Sequence, residues 1–161
     1  MNGSTTGGCE PSPTVVRRET VPRGGIVPDE INKRVSVMIV DDQSPFRAAA
    51  RAVVDRVKEF QLVAEVASGE EAVAASAELE PQLILMDINM GVLNGIEATR
   101  IITRSHPTTK VILVSTYTLD DLPPAARTSG AIAYLNKDEL SPRMIRHLWE
   151  VGGDPDWLAT G

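Results

Sequence analysis

From position 35 onward, short apolar runs alternate with longer amphipathic stretches, the pattern of a parallel sheet whose strands are joined by crossover helices. Strands are predicted at 35–40, 62–66, 83–86, 111–114 and 132–135. The runs at 35, 83 and 111 lack polar alternation, so they should be buried on both faces. Helices are predicted between the strands. Ser44-Pro45 supplies a cap and a first-turn proline before 46–57. Ser68 with Glu71 forms a capping box opening 72–79, which Pro81 stops. Asn94 caps 95–104, a fourth and shorter helix should start at Pro123-Pro124 and finish before Gly130, and a fifth spans 142–151 and stops at Gly152-Gly153. Five βα units of this kind predict an α/β three-layer sandwich, α/β/α, around a five-stranded parallel sheet.

Residues 1–34 break the pattern. Rich in Gly, Pro, Ser and Thr, they offer no sustained period and too little apolar surface to offset ordering entropy. A flexible leader is expected at 1–34, a domain at 35–151 and a short tail at 152–161; a docking arm around Val15-Val16-Arg17-Arg18 is the less favoured reading of the leader. The whole chain has 161 residues, room for one ordinary domain and little more. Its apolar runs fall far short of the roughly 20 residues that cross a bilayer, and its start lacks a secretory signal, so the expected location is cytoplasmic, away from membranes. Cys9, the single cysteine, has no disulfide partner and no role is assigned to it. Net charge is −6, and the leader carries one more basic than acidic residue, leaving the rest near −7. An acidic domain with 4% aromatic residues argues against direct nucleic-acid binding.

Ligands of open parallel sheets gather beyond the carboxyl ends of the strands. Here the first strand ends in Asp41-Asp42, the third in Asp87 and the fourth in Ser115-Thr116, and Lys137 follows the fifth. If the first and third strands are neighbours, about 4.8 Å apart, the three carboxylates converge. Like charges so close resist joint ionisation unless a cation sits among them, and Mg²⁺ suits a hard oxygen set that also leaves room for a phosphate. A carboxylate can itself be phosphorylated. Phosphoryl transfer then needs positioning and charge neutralisation, which Lys137 and the Ser115 hydroxyl could supply. Asp87 stands alone at a central strand tip and is the better nucleophile candidate; the Asp41-Asp42 pair suits the metal.

These residues, with their surroundings, resemble a known family. Met38-Ile39-Val40-Asp41-Asp42-Gln43, Ala67-Ser68-Gly69-Glu70-Glu71-Ala72, Leu85-Met86-Asp87-Ile88-Asn89-Met90, Asn94-Gly95-Ile96-Glu97-Ala98-Thr99-Arg100, Ser115-Thr116-Tyr117 and Tyr134-Leu135-Asn136-Lys137-Asp138 resemble the receiver domain of bacterial two-component response regulators, most closely the NarL/FixJ type. The resemblance implies a flavodoxin-like, CheY-like strand order 2-1-3-4-5. It implies that Asp87 accepts a phosphoryl group from a sensor histidine kinase. Asp42, Asp87 and the backbone carbonyl of Asn89 would bind Mg²⁺, with Asp41 acting through water. Ser115 would contact the phosphate, Lys137 would pair with it, and Tyr134 would be the aromatic switch turning inward as Ser115 moves. Output to a second copy or a downstream protein would use the fourth helix, fifth strand and fifth helix.

The chain departs from the family pattern at several positions. Gly91 replaces the usual proline after Met90, Pro123-Pro124 shorten or displace the fourth helix, and Thr116 and Tyr117 flank the phosphate position, where they would restrict water. Regulators of this type usually continue into a DNA-binding helix-turn-helix domain, whereas only ten residues follow the fifth helix here. A single-domain regulator is favoured over a chain cut at a domain boundary. Two other functions compete: a phosphorylation-independent interaction module, and a haloacid-dehalogenase-like phosphatase, which would want an acid where Asn89 stands. His106 and His147 lack partners at ligand spacing, Met86 and Met90 read as packing residues, and no nucleotide-binding glycine motif is present.

Overall fold

The computed structural model describes residues 34–159; the leader assigned to 1–34, including Cys9, lies outside these but for Arg34. Five strands, β1 (Val35–Val40), β2 (Phe60–Val66), β3 (Leu83–Asp87), β4 (Lys110–Ser115) and β5 (Ala133–Asn136), form one sheet in the order β2-β1-β3-β4-β5. Every pairing is parallel. Val40 of β1 sits opposite Met86 of β3, so Asp41 and Asp87 emerge side by side from adjacent strands.

Residues within each strand alternate between two cores, and both cores are apolar, which explains why the strands show no polar period. Met38, Val40, Ile84, Met86 and Leu113 face one side, against Ala72 and Ala75 of α2 (Gly69–Leu79) and Ile96 and Ile102 of α3 (Gly95–Ser105). Val37, Ile39, Leu83, Leu85, Ile112 and Leu135 face the other, against Ala50 and Val54 of α1 (Ser44–Asp55) and Ile145 and Leu148 of α4 (Pro142–Val151). Met86 and Met90 are both core residues. No described helix is long and apolar enough to cross a membrane.

Two helix starts differ in detail from expectation. Ser44 is already inside α1; Gln43 occupies the cap position without a side-chain bond, and the turn is held instead by Asp41 Oδ1, which accepts from the Gln43 amide at 2.7 Å. At α2, Ser68 accepts from Glu71 N–H at 3.0 Å, but the Glu71 carboxylate reaches past Ser68 to the amide of Ala67 at 2.8 Å. Asn94 caps α3 as expected, accepting from Glu97 N–H at 2.9 Å.

The fourth helix expected after Pro123 is absent. Two single 3₁₀ turns, Leu119–Asp121 and Pro124–Ala126, take its place. Proline fits the first turn of a helix, but consecutive prolines do more than begin one. Each forces the residue before it out of the helical region, and Leu122 and Pro123 accordingly sit at ψ 137° and 140°. The stretch from Pro124 to the left-handed Gly130 is then too short for a stable α-helix. An output surface built on a fourth helix is corrected accordingly: beside β5 and α4 stands an irregular segment. After α4 the chain forms a further short helix, α5 (Pro155–Ala159), and buries Trp157.

Candidate functional site

The carboxyl edge of the sheet gathers the acidic residues at the tips of β1 and β3. Asp41 is fully buried, Asp87 is 5% exposed and Asp42 faces solvent. One carboxylate oxygen from each lies within 4.8 Å of the others, the one such cluster among the described residues. His106 and His147 take no part in it. Lys137, one residue beyond β5, reaches across β4 to place Nζ 2.8 Å from Asp41 Oδ2 and 3.4 Å from Asp87 Oδ1.

Burial and the neighbouring Asp41 charge push the Asp87 carboxyl up to about 6, although Lys137 pulls the other way. Burial alone would lower the Lys137 ammonium, but the Asp41 and Asp87 carboxylates carry it above its ordinary value. The pocket therefore holds more negative charge than one lysine balances. Asp41 Oδ2 is buried without an aligned hydrogen bond even though the ammonium is close. An oxygen-only donor set, three converging carboxylates against one ammonium and an exposed Asp42 beside them fit a hard, partly hydrated divalent cation such as Mg²⁺.

Local structure keeps these groups in place. Arg47 Nη1 on α1 donates to the Asp41 carbonyl at 2.7 Å, and Arg51 grips the buried Glu65 through two bonds of 2.6 and 2.9 Å. Phe46 places its ring 4.3 Å from Lys137 Nζ, a cation–π contact that limits where the ammonium can go. The first residue of α3 must be glycine, because a Cβ on Gly95 would come within 1.9 Å of the Asp87 carbonyl oxygen. That close approach sets α3 directly against the backbone of the central acid.

Ser115 and Tyr134 are brought together. Ser115 Oγ accepts from the Tyr117 amide at 3.0 Å and lies 2.9 Å from Tyr134 Oη. The Tyr134 ring, 8% exposed, is turned inward, with its hydroxyl also beside the carbonyls of Ser115 and Tyr117. Tyr117 extends over the loop after β3 and donates from Oη to Asn89 Oδ1 at 3.2 Å. Asn136 ties the segment after β4 to β5, donating to the Tyr117 carbonyl at 3.2 Å and accepting from Asp138 N–H at 2.9 Å.

Sequence reasoning did not single out Phe46, Arg47, Glu65, Asn136 or Trp157. Asn136 carried a readable signal, an Asn with Glu139 three residues on, and this is a capping box in the structure. Phe46 meets Lys137, and Arg51 meets Glu65, only through tertiary packing, and neither pair left a local pattern.

Residues 37–148 match the family described as response regulator receiver domain. The transcriptional regulatory protein LnrK of Bacillus subtilis is 34% identical over 73% of this chain and 53% of its own length. The response regulator GacA of Pseudomonas protegens is 36% identical over 64% of this chain and 48% of its own. The chain thus spans about half the length of the curated relatives it matches. Among solved structures, the response regulator domain of Thermotoga maritima CheB superposes with a TM-score of 0.65 at 28% identity, covering 73% of this chain and 95% of that one. A match running from β1 into α4, supported by relatives above 30% identity and by a neighbour with the same fold, makes this chain a member of the receiver-domain family of two-component response regulators.

Proposed function

We propose that this chain is a phospho-accepting switch in which Asp87 takes a phosphoryl group from a sensor histidine kinase. Receiver domains are signalling modules rather than metabolic enzymes, and the family binds Mg²⁺ at an acidic pocket and interacts with histidine kinases. The single observation that carries the reading for this chain is the convergence of Asp41, Asp42 and Asp87 within 4.8 Å, with Lys137 bridging two of them.

In the transfer, an ionised Asp87 oxygen attacks phosphorus, the bond from phosphorus to the donor's imidazole nitrogen breaks, and an acyl phosphate forms. Asp42, Asp87 and the Asn89 carbonyl would hold Mg²⁺, with Asp41 acting through water; bound there, it would supply neutralisation of charge on the transferred oxygens. Lys137 is poised to exchange its carboxylate partners for a phosphoryl oxygen. The Ser115 hydroxyl, last in β4, would turn its proton to a second oxygen. The new group brings about −1.5 to −2 charge and three acceptors to the sheet edge. Recruitment of Ser115 and Lys137 then biases an equilibrium between two arrangements of the Ser115–Tyr134 pair. Output would pass through β5, α4 and the two-turn segment between β4 and β5 to a downstream protein or a second copy. The relatives are about twice as long as the matched stretch, so the activity proposed is that of the receiver alone.

Incubation with Mg²⁺ and a small acyl phosphate tests the reading. Intact mass should rise by one phosphoryl group, and Asp87→Asn should abolish the gain. A full signal in that variant would move the acceptor elsewhere.

A further inference from the structure

Residues 152–159, beyond α4, form an ordered structure. The Gly152 and Gly153 amides both donate to the Leu148 carbonyl, at 3.1 and 2.9 Å, turning the chain sharply at the helix end. Gly153 has φ +127°, and a Cβ there would lie 2.7 Å from the Ile132 carbonyl oxygen. The close approach lets the Asp154 amide donate to that same carbonyl at 3.0 Å. Trp157 is thereby driven into the fold, where it is 3% exposed. Its indole Nε1–H donates to the Ala131 carbonyl at 3.1 Å, and the Arg127 guanidinium covers its ring at 4.7 Å. The indole stacks on Tyr134, centroids 6.2 Å apart and planes 27° from parallel.

Tyr134 is the residue whose hydroxyl meets Ser115 Oγ. Three side chains in contact, Trp157, Tyr134 and Ser115, therefore run from the last described helix to the tip of β4. β5 is the edge strand, so Tyr134 has a sheet neighbour on one side only. A cleft of about 740 Å³ opens beside it, lined in part by Tyr117, Leu119, Arg127 and Trp157. Into that space the ring could swing, and a ring that did so would forfeit both the indole stack and its bonds near Ser115.

We propose that Trp157 is a positioning residue: it clamps Tyr134 inward, through Tyr134 sets the Ser115 hydroxyl, and so couples docking of residues 153–159 to modification of Asp87. The inference rests on Asp87 being the phosphoacceptor. Coupling of this kind is reciprocal, because each event favours the same arrangement of Tyr134. The clamp makes the inward ring available before the phosphoryl group arrives, and it lowers the cost of recruiting Ser115.

The experiment is a titration of the Mg²⁺-loaded chain with beryllofluoride, a phosphoryl mimic, read by affinity and by amide hydrogen exchange. In the wild-type chain beryllofluoride should slow exchange at 154–159, beyond Tyr134 from the acidic pocket. Trp157→Ala should weaken beryllofluoride binding by about 5-fold or more. Trp157→Phe, which keeps a ring for Tyr134 but loses the indole donor, should recover most of that affinity. Thermal unfolding of each variant separates a lost clamp from a lost fold, and the wild-type exchange measurement needs no variant. Equal affinities in wild type and Trp157→Ala, with exchange at 154–159 indifferent to beryllofluoride, would overturn the clamp and leave Asp87 as acceptor. A wild-type chain that binds no beryllofluoride would overturn the phosphoacceptor reading and the clamp together.

Discussion

Asp87 concentrates the electrostatic strain of the molecule. Its carboxyl is raised to about 6, chiefly by burial and secondly by Asp41. The folded chain therefore holds the Asp87 proton more tightly than the unfolded chain, whose ordinary value is near 4. The stability this contributes is fully present below about pH 4 and is lost as pH rises through about 6. In metal-free protein, Asp87→Asn should then match wild type near pH 4 and exceed it by on the order of 1–3 kcal/mol above pH 6. Urea melts at a series of pH values would check this, and a constant difference across the series would remove Asp87 as its source. Among single residues, Asp41, Asp42, Asp87, Ser115 and Lys137 could be picked out beforehand because each sits at or beside the end of a readable strand, and Tyr134 only because the family resemblance implies its role. Phe46 could not, since its contact with Lys137 joins positions 91 residues apart, the start of α1 and the residue after β5.

At the level of elements, local chemistry and close packing made different contributions. The starts of α3 and α4 follow from side chains a few residues away: Asn94 accepts from Glu97 N–H, and Ser141 from Met144 N–H at 3.1 Å. Such caps are legible because donor and acceptor are neighbours in sequence. The failure at Pro123-Pro124 has an equally local cause, the restriction each proline places on the residue before it, which outweighs the fit of proline to a first helical turn. Gly95 belongs to neither kind. Asn-Gly at a helix start looks ordinary in sequence, yet the helix backs onto the Asp87 carbonyl so closely that no side chain fits. Gly95→Ala should lower stability by roughly 2–4 kcal/mol, in the range of overpacked cores and displaced backbone. Denaturant midpoints would measure the loss, and a change under 0.5 kcal/mol would mean that α3 can move away from β3 freely. Because Asp87 lies on the backbone being pushed, phosphorylation of the variant should slow even where it remains folded.

On the scale of the whole molecule, the acidic pocket couples stability to metal. Three carboxylates against one lysine favour any conformation that admits a cation, and the unfolded chain has no such cluster. Mg²⁺ at 100 times its dissociation constant should stabilise the fold by about 2.7 kcal/mol. Thermal unfolding with and without the ion would register this as a rise in midpoint that Asp42→Asn reduces. An equal rise in wild type and Asp42→Asn would place the ion elsewhere.

The periodicity of the chain alone was enough for five parallel strands, three of the four helices between them and the strand tips where chemistry collects, because sandwiched strands must be apolar and helix ends must be capped locally. Its motif order was enough for the family. Neither could supply the Asp41–Lys137 contact, the Glu65 clamp or the Trp157–Tyr134–Ser115 path. Those depend on which faces meet when α1, α4 and α5 fold back on the sheet. Residues that meet only in three dimensions have no spacing rule in one.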